Sequence, residues 1–112
     1  MKDKTNPKDL RGALKDSIHL VPPEGIKQIS RAMKYGAITC KYGPYNWRDS
    51  RVQYVIYLDA IMRHTLALLE GQDIDPDSGL RHEAHIGANA VLLLDAHKYK
   101  NLIDNRYIKR GK

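Results

Sequence analysis

Three stretches with apolar residues at helical spacing, cut apart by Pro22-Pro23, Gly43-Pro44 and Gly71, limit what this chain can become. Proline lacks the N–H that a helix interior needs but is tolerated in the first turn, so Pro22-Pro23 can open a helix and cannot lie within one. From there Ile26, Ile29, Ala32, Met33, Ala37 and Cys40 recur at helical intervals until Gly43-Pro44 stops them. Gly36 inside this run lowers helix propensity, which predicts close packing against a neighbour. A second helix is expected over "RVQYVIYLDAIMRHTLALLEG", capped by Asp49 or Ser50 and ended by Gly71. Apolar residues cover most of its sides, which predicts a central, buried helix. A third, "LRHEAHIGANAVLLLDAHKYK", follows the acidic connection "QDIDPDSG", with Asp77 or Ser78 as its cap. "NRYIKR" is the one stretch that reads as a short strand. The expected fold is all-α: an extended basic arm over residues 1–19, a helical domain of three main helices over 20–100, and a basic tail over 101–112.

A chain of 112 residues is one domain, and it buries a modest fraction of its surface alone. A polar pocket inside so small a core would make a homo-oligomer the way to complete it. The single cysteine, Cys40, excludes a disulfide framework within the chain and suits a reducing compartment. "MKDKTNPKDL" has no apolar core after its basic residues, and no apolar run reaches transmembrane length. The chain is therefore expected to be cytoplasmic, with no membrane partner. The net charge of +6 is unevenly placed. Five basic residues against two acids fall in residues 1–15, and six against one in 98–112, so the middle is acidic. Basic ends on an acidic middle argue for weak polyanion affinity and against a nucleic-acid-binding face.

Several groups can carry chemistry. On the third helix His82, His85 and Asn89 fall on one stripe, within about 60° of each other at 100° per residue. Two imidazoles one turn apart can share a metal ion or a phosphate, or can lie on a solvated face, and the residues alone support both. On the second helix Asp59 and Arg63 are spaced to pair, while His64 points among small apolar neighbours. A histidine so placed is ordinarily a hydrogen-bonded core residue; it joins His82 or His85 only if the third helix packs antiparallel beside it. Asp73, Asp75 and Asp77 resemble the first ligands of a calcium-binding EF-hand. Ser78 where that loop needs glycine, and Ala84 where it needs glutamate, exclude it. What remains is a candidate magnesium or manganese site, or a solvated, capped turn. Phosphate-binding glycine loops, HExxH and cysteine-based zinc spacings are absent.

The loop "KYGPYNWRDS" suits a nucleotide. Trp47 and the tyrosines can stack on a base, Asn46 can read its edge, and Lys41 or Arg48 can reach phosphates. Composition alone favours a plainer reading, with Trp47 plugging a small core and Asn46 bonding its own backbone.

The blocks "NPKDL…LVPPEG", "KYGPYNWRDS…YLDAIMRH" and "DSGLRHEAHIGAN" span almost the whole chain in order. Together they resemble a family of small phage proteins that includes the N-terminal domain of phage dATP/dGTP diphosphohydrolase. Lys41, Tyr42, Gly43, Asn46, Trp47 and Arg48 match the family's loop. Asp59, Arg63 and His64 match its second block, and Asp77, Ser78, Gly79, His82 and His85 its third. The resemblance implies a mostly helical nucleotide-binding domain, the host cytoplasm as its location, a purine deoxynucleotide as partner, and pyrophosphate release from the triphosphate as the activity. Many relatives carry an acid after the glycine that ends the second helix, where this chain has Gln72. An amide is no base and a poor magnesium ligand. The paired ExxE carboxylates of all-α pyrophosphohydrolases are also missing.

Two functions follow. In the first, a hydrolase, Asp73, Asp75 and Asp77 hold magnesium or manganese while His64, His82 and His85 position water or phosphate. Lys41, Tyr42, Asn46, Trp47, Arg48, Arg63 and Asn89 then bind the substrate. In the second, the same loop and basic groups capture a nucleotide, or a nucleotide signal, without turnover or metal. A small oligomeric interaction module, with the aromatic loop as interface, is the plainest alternative.

Overall fold

The computed structural model describes residues 6–108. It is mostly helical: α1 (Pro7–Gly12), a 3-10 turn (Ile18–Leu20), α2 (Pro23–Lys34), a π-helical turn (Tyr35–Thr39), α3 (Asn46–Asp49), β1 (Val52–Gln53), α4 (Tyr54–Leu69), α5 (His82–Lys98) and β2 (Leu102–Ile103). The three expected helices are α2, α4 and α5.

Helix α2 begins at Pro23, as a proline at the first helical position should. It does not run on to Cys40 as one α-helix but widens into the π-turn. Backbone N–H groups of Tyr42 and Gly43 then reach back to the carbonyls of Gly36 and Ala37, each at 3.1 Å. A Cβ on Gly36 would stand 3.6 Å from the Tyr42 ring, an ordinary contact, so close packing does not require the glycine there.

Helices α4 and α5 are antiparallel: His64, late in α4, meets His82 at the start of α5, and Tyr54 at the other end meets His97. Gly87 lets α2 approach α5, for a Cβ there would stand 2.7 Å from the Ile29 side chain. Ala32, Ala84 and Ala88 form the small core between these two helices, with Ile29, Met33 and Leu80 against it. A second core gathers Val52, Leu93 and Ala96 with Trp47, Tyr54, Tyr57, Leu58, Ile61 and Leu102.

Several expectations need correction. The arm is not wholly extended, since Pro7 and the Asn6 side chain, which accepts from the Lys8 N–H, start α1. Neither Asp49 nor Ser50 caps α4; the Asn105 side chain does, accepting the Val55 N–H at 2.9 Å. Neither Asp77 nor Ser78 caps α5, which starts after Arg81. The strand falls at Leu102–Ile103, pairing in parallel with β1 (Val52 opposite Leu102), rather than in "NRYIKR"; residues 109–110 of that stretch lie outside the described residues. Within the tail, then, β2 and Asn105 belong to the folded body. Finally, α4 is central but not buried: it has no fully buried residue, and Met62, Leu66 and Leu69 lie on its open side. No helix among the described residues is long and apolar enough to cross a membrane.

Candidate functional site

The site forms where the end of α4, the connection 70–81 and the start of α5 meet. Gly71 (φ 92°) ends α4, its N–H bonding to Leu68 O and that of Gln72 to Ala67 O. This is the Schellman arrangement, whose left-handed residue is best a glycine. It turns the chain sharply, and Gln72 Oε1 comes to lie 2.8 Å from His82 Nε2. A tight turn follows, with the Asp75 N–H bonded to Leu80 O and the Gly79 N–H (φ 74°) to Asp75 O, both at 2.8 Å. Asp75 Oδ1 accepts the Asp77 N–H at 2.8 Å, so Oδ2 is the oxygen that meets the histidines.

Three histidines converge beside that oxygen. His64 Nδ1 and His82 Nδ1 are 2.8 Å apart. Asp75 Oδ2 is 3.9 Å from His64 Nδ1 and 3.8 Å from His85 Nε2. The His64 and His85 rings stack, 4.8 Å between centroids and 7° between planes. Ser78 Oγ is 2.7 Å from His85 Nε2, and Tyr35, the first residue of the π-turn, sets its ring edge-on to His85 at 5.8 Å. His82 and His85 are buried. An amide oxygen only accepts, so Gln72 places the His82 proton on Nε2 and leaves a lone pair on Nδ1. Burial, then repulsion from His85 and His82, pulls the His64 imidazole below its ordinary pKa against the opposing pull of Asp75. Burial is also the main cause that lowers His85, with Asp75 opposing. Both are neutral at pH 7 and can accept a proton or a metal ion. Ser78 and Asp75 approach the same nitrogen of His85, whereas a nucleophile–base–acid triad needs them on opposite nitrogens. Ser-His-Asp acyl chemistry is thereby excluded.

The structure thus brings together His64, His82, His85 and Asp75. Asp73 and Asp77 are exposed. Among the described residues, the grouping of at least three potential ligands with donor atoms within 4.8 Å is His64, Asp75 and His82, not the acidic triad. Arg63 is exposed next to His64 and adds slightly to its lowering. Asn89 does not turn into the cluster; its amide donates to the His85 carbonyl at 2.9 Å. Asp59 is exposed.

The aromatic loop takes another position. Arg48 makes two 2.8 Å hydrogen bonds to Asp95 on α5, and Trp47 Nε1 donates to the same carboxylate at 3.1 Å. The Arg48 guanidinium also lies 4.2 Å over the Tyr99 ring. Asn101 locks the loop from below by donating to the carbonyls of Trp47 and Ser50. Arg48, and secondarily Trp47, hold the Asp95 carboxyl below its usual range. Among the described residues, no hydrogen bond, ion pair or ring contact joins Trp47 or Arg48 to the histidines. Trp47 does border a cleft of about 230 Å³ with Met33, Ala37, Pro44 and Tyr45. Lys41 and Tyr42 are exposed on the loop and Asn46 is half-buried at the start of α3.

Sequence reasoning passed over Tyr35, Arg31 and Lys34. These line a cleft of about 230 Å³ with Thr39, Ser78 and Leu80, so it opens beside two residues that touch His85. Helical spacing put them on α2, but no motif signalled that α2 would pack against the start of α5. A concavity of about 920 Å³ is lined by residues between 7 and 19 and includes none of the site residues.

Comparison with known proteins adds the family. A "dATP/dGTP diphosphohydrolase" of Salmonella phage PMBT28 is 30% identical over 79 residues, 70% of this chain and 26% of the relative. The chain thus spans about a quarter of that protein's length. No solved structure matches. The profile of the family described as "dATP/dGTP diphosphohydrolase, N-terminal" matches residues 5–106, nearly the whole chain, and the chain belongs to that family.

Proposed function

We propose that this domain hydrolyses a purine deoxynucleoside triphosphate to the monophosphate and pyrophosphate, with the histidine cluster as its reactive centre. The observation that carries this is the convergence of His64, His82, His85 and Asp75 beside a cleft with two cations, in a chain of this family. Water attacks the α-phosphorus. As the new O–P bond forms, neutral His85 takes the water proton on Nε2, that nitrogen exchanging its contact with the Ser78 hydroxyl for the water. The bond to the bridging oxygen breaks, and pyrophosphate leaves with its electron pair. Arg31 and Lys34 in the cleft, with Arg63 beside His64, offset the phosphate charge. The exposed end of the loop, Lys41, Tyr42 and Asn46, and the open face of Trp47 are the base-side candidates. Magnesium, a hard ion that takes oxygen ligands, fits poorly with a donor set of two imidazoles and one carboxylate.

The test is incubation with each deoxynucleoside triphosphate, followed by chromatography of the nucleotides. Purine monophosphate with pyrophosphate is the expected result. Unchanged nucleotide with tight binding would replace hydrolysis by sequestration, and no binding at all would overturn both.

We also propose a homo-oligomer. Leu10, Leu14, Ile18, Leu20 and Val21 of the arm are all exposed. The radius of gyration is 18.5 Å, against about 13 Å for a compact chain of similar length. A second copy is the occupant that gives these side chains an apolar neighbour, because the open side of α4 (Met62, Leu66, Leu69) offers a matching surface.

A further inference from the structure

We infer that His64, His82 and Asp75 hold one divalent first-row transition-metal ion of the manganese-to-zinc series, in preference to magnesium or calcium. The donors are two imidazole nitrogens and one carboxylate oxygen, mutually within 4.8 Å. Imidazole suits zinc, iron, nickel and copper, while magnesium and calcium take oxygen. The 2.8 Å between His64 Nδ1 and His82 Nδ1 is close to the roughly 3 Å expected of adjacent ligands about 2.1 Å from one ion. Two ligands on opposite sides of such an ion stand roughly 4.2 Å apart. Asp75 Oδ2, 3.9 Å from His64 Nδ1, lies within that limit, and its half-buried place on a turn leaves room for a small shift toward the ion.

An independent feature points the same way. Metal-ligating histidines characteristically donate their other ring N–H to an acceptor that fixes the tautomer. Gln72 Oε1, 2.8 Å from His82 Nε2, supplies that acceptor and leaves the Nδ1 lone pair directed at His64 and the shared space. An amide that is a poor ligand itself is well suited to orient one. Gln72 is therefore a positioning residue for the metal. His85 remains outside the ligand set, stacked on His64 and bonded to Ser78.

The experiment is titration of metal-stripped protein with Zn²⁺, Mn²⁺ and Mg²⁺ by calorimetry, without nucleotide, with Co²⁺ absorption reporting nitrogen ligation. One Zn²⁺ per chain is expected, bound at least about 100-fold more tightly than Mg²⁺. His82→Ala and Asp75→Asn should abolish it. Gln72→Ala should weaken it by about 10- to 100-fold. His97→Gln, which alters an exposed imidazole outside the cluster, should change nothing. Equal affinity for Mg²⁺, no uptake by the wild type, or full retention in Asp75→Asn would overturn the inference. Should His82→Ala fail to fold, Asp75→Asn and Gln72→Ala, both on the connection, carry the test. Because no nucleotide is present, a protein that binds zinc but leaves nucleotides intact would overturn the hydrolysis reading alone.

Discussion

The Arg48–Asp95 pair gives a residue expected at a phosphate a structural partner that its own stretch of sequence does not contain. An arginine beside a tryptophan in a Gly-Pro loop reads as a phosphate and base contact. Folded, both side chains meet a carboxylate 47 and 48 residues away, on the last turns of α5. No local spacing could reveal that partner. The pair carries a pH dependence with a definite sign. Asp95 is held below its ordinary pKa, so its contribution is complete above the ordinary carboxylate range and is lost as pH falls through the lowered folded value. Thermal melts should show wild type losing stability on that acid limb and Asp95→Asn losing less. The difference should be modest, because both side chains are partly exposed and solvent screens the pair. An identical acid limb in the variant would contradict the pairing. The histidines were legible differently. Their register on α5 gave the His82–His85 stripe, but His64 could join only through the packing of α4, and Asn89 shares the stripe yet bonds its own helix.

At the scale of elements, periodicity located α2, α4 and α5 but not what ends or caps them. The cap of α4 comes from Asn105, fifty residues later, through the parallel pairing of β1 and β2. Such a cap has no signature near the helix it serves. Asn105→Ala should destabilise the fold by about 1 kcal/mol. Chemical denaturation measures this, and an unchanged midpoint would mean the C-terminal segment does not hold α4. Close packing was expected at Gly36, where a Cβ would meet only an ordinary 3.6 Å contact; the close approach is at Gly87 instead. Gly87→Ala gains helix propensity but collides with Ile29, so overpacking should leave it about 1 kcal/mol less stable. Adding Ile29→Ala should recover part of the steric cost, giving a non-additive cycle. Simple additivity would contradict the close approach of α2 and α5.

For the whole molecule, the fully buried apolar residues are few and mostly alanines, and large apolar side chains remain on the arm and on α4. A chain this short with a polar pocket in its core was expected to associate, and the exposed apolar residues of the arm and α4 make the proposal specific. Light scattering should give a mass that is a multiple of 12.8 kDa. Leu14→Glu with Leu66→Glu should reduce it to a monomer while keeping the helical circular dichroism. A monomeric wild type would contradict the proposal. The packing of α2 and the π-turn is likewise a whole-molecule fact: it puts Arg31 and Lys34 on a cleft with Tyr35 and Ser78, the two residues that touch His85, although nothing in their own spacing marks them.

The central claim is that the histidine cluster, not the aromatic loop, is where a nucleotide would be cut. Comparing single-turnover hydrolysis at saturating dATP, where a loss of base stacking alone does not slow the rate, by wild type, His85→Gln and Trp47→Phe tests it most directly. His85→Gln should lose about 100-fold or more of the rate, the contribution of a positioned base, and Trp47→Phe should keep a rate close to wild type. A His85→Gln enzyme as fast as wild type, or a Trp47→Phe enzyme as slow as His85→Gln, would contradict the account.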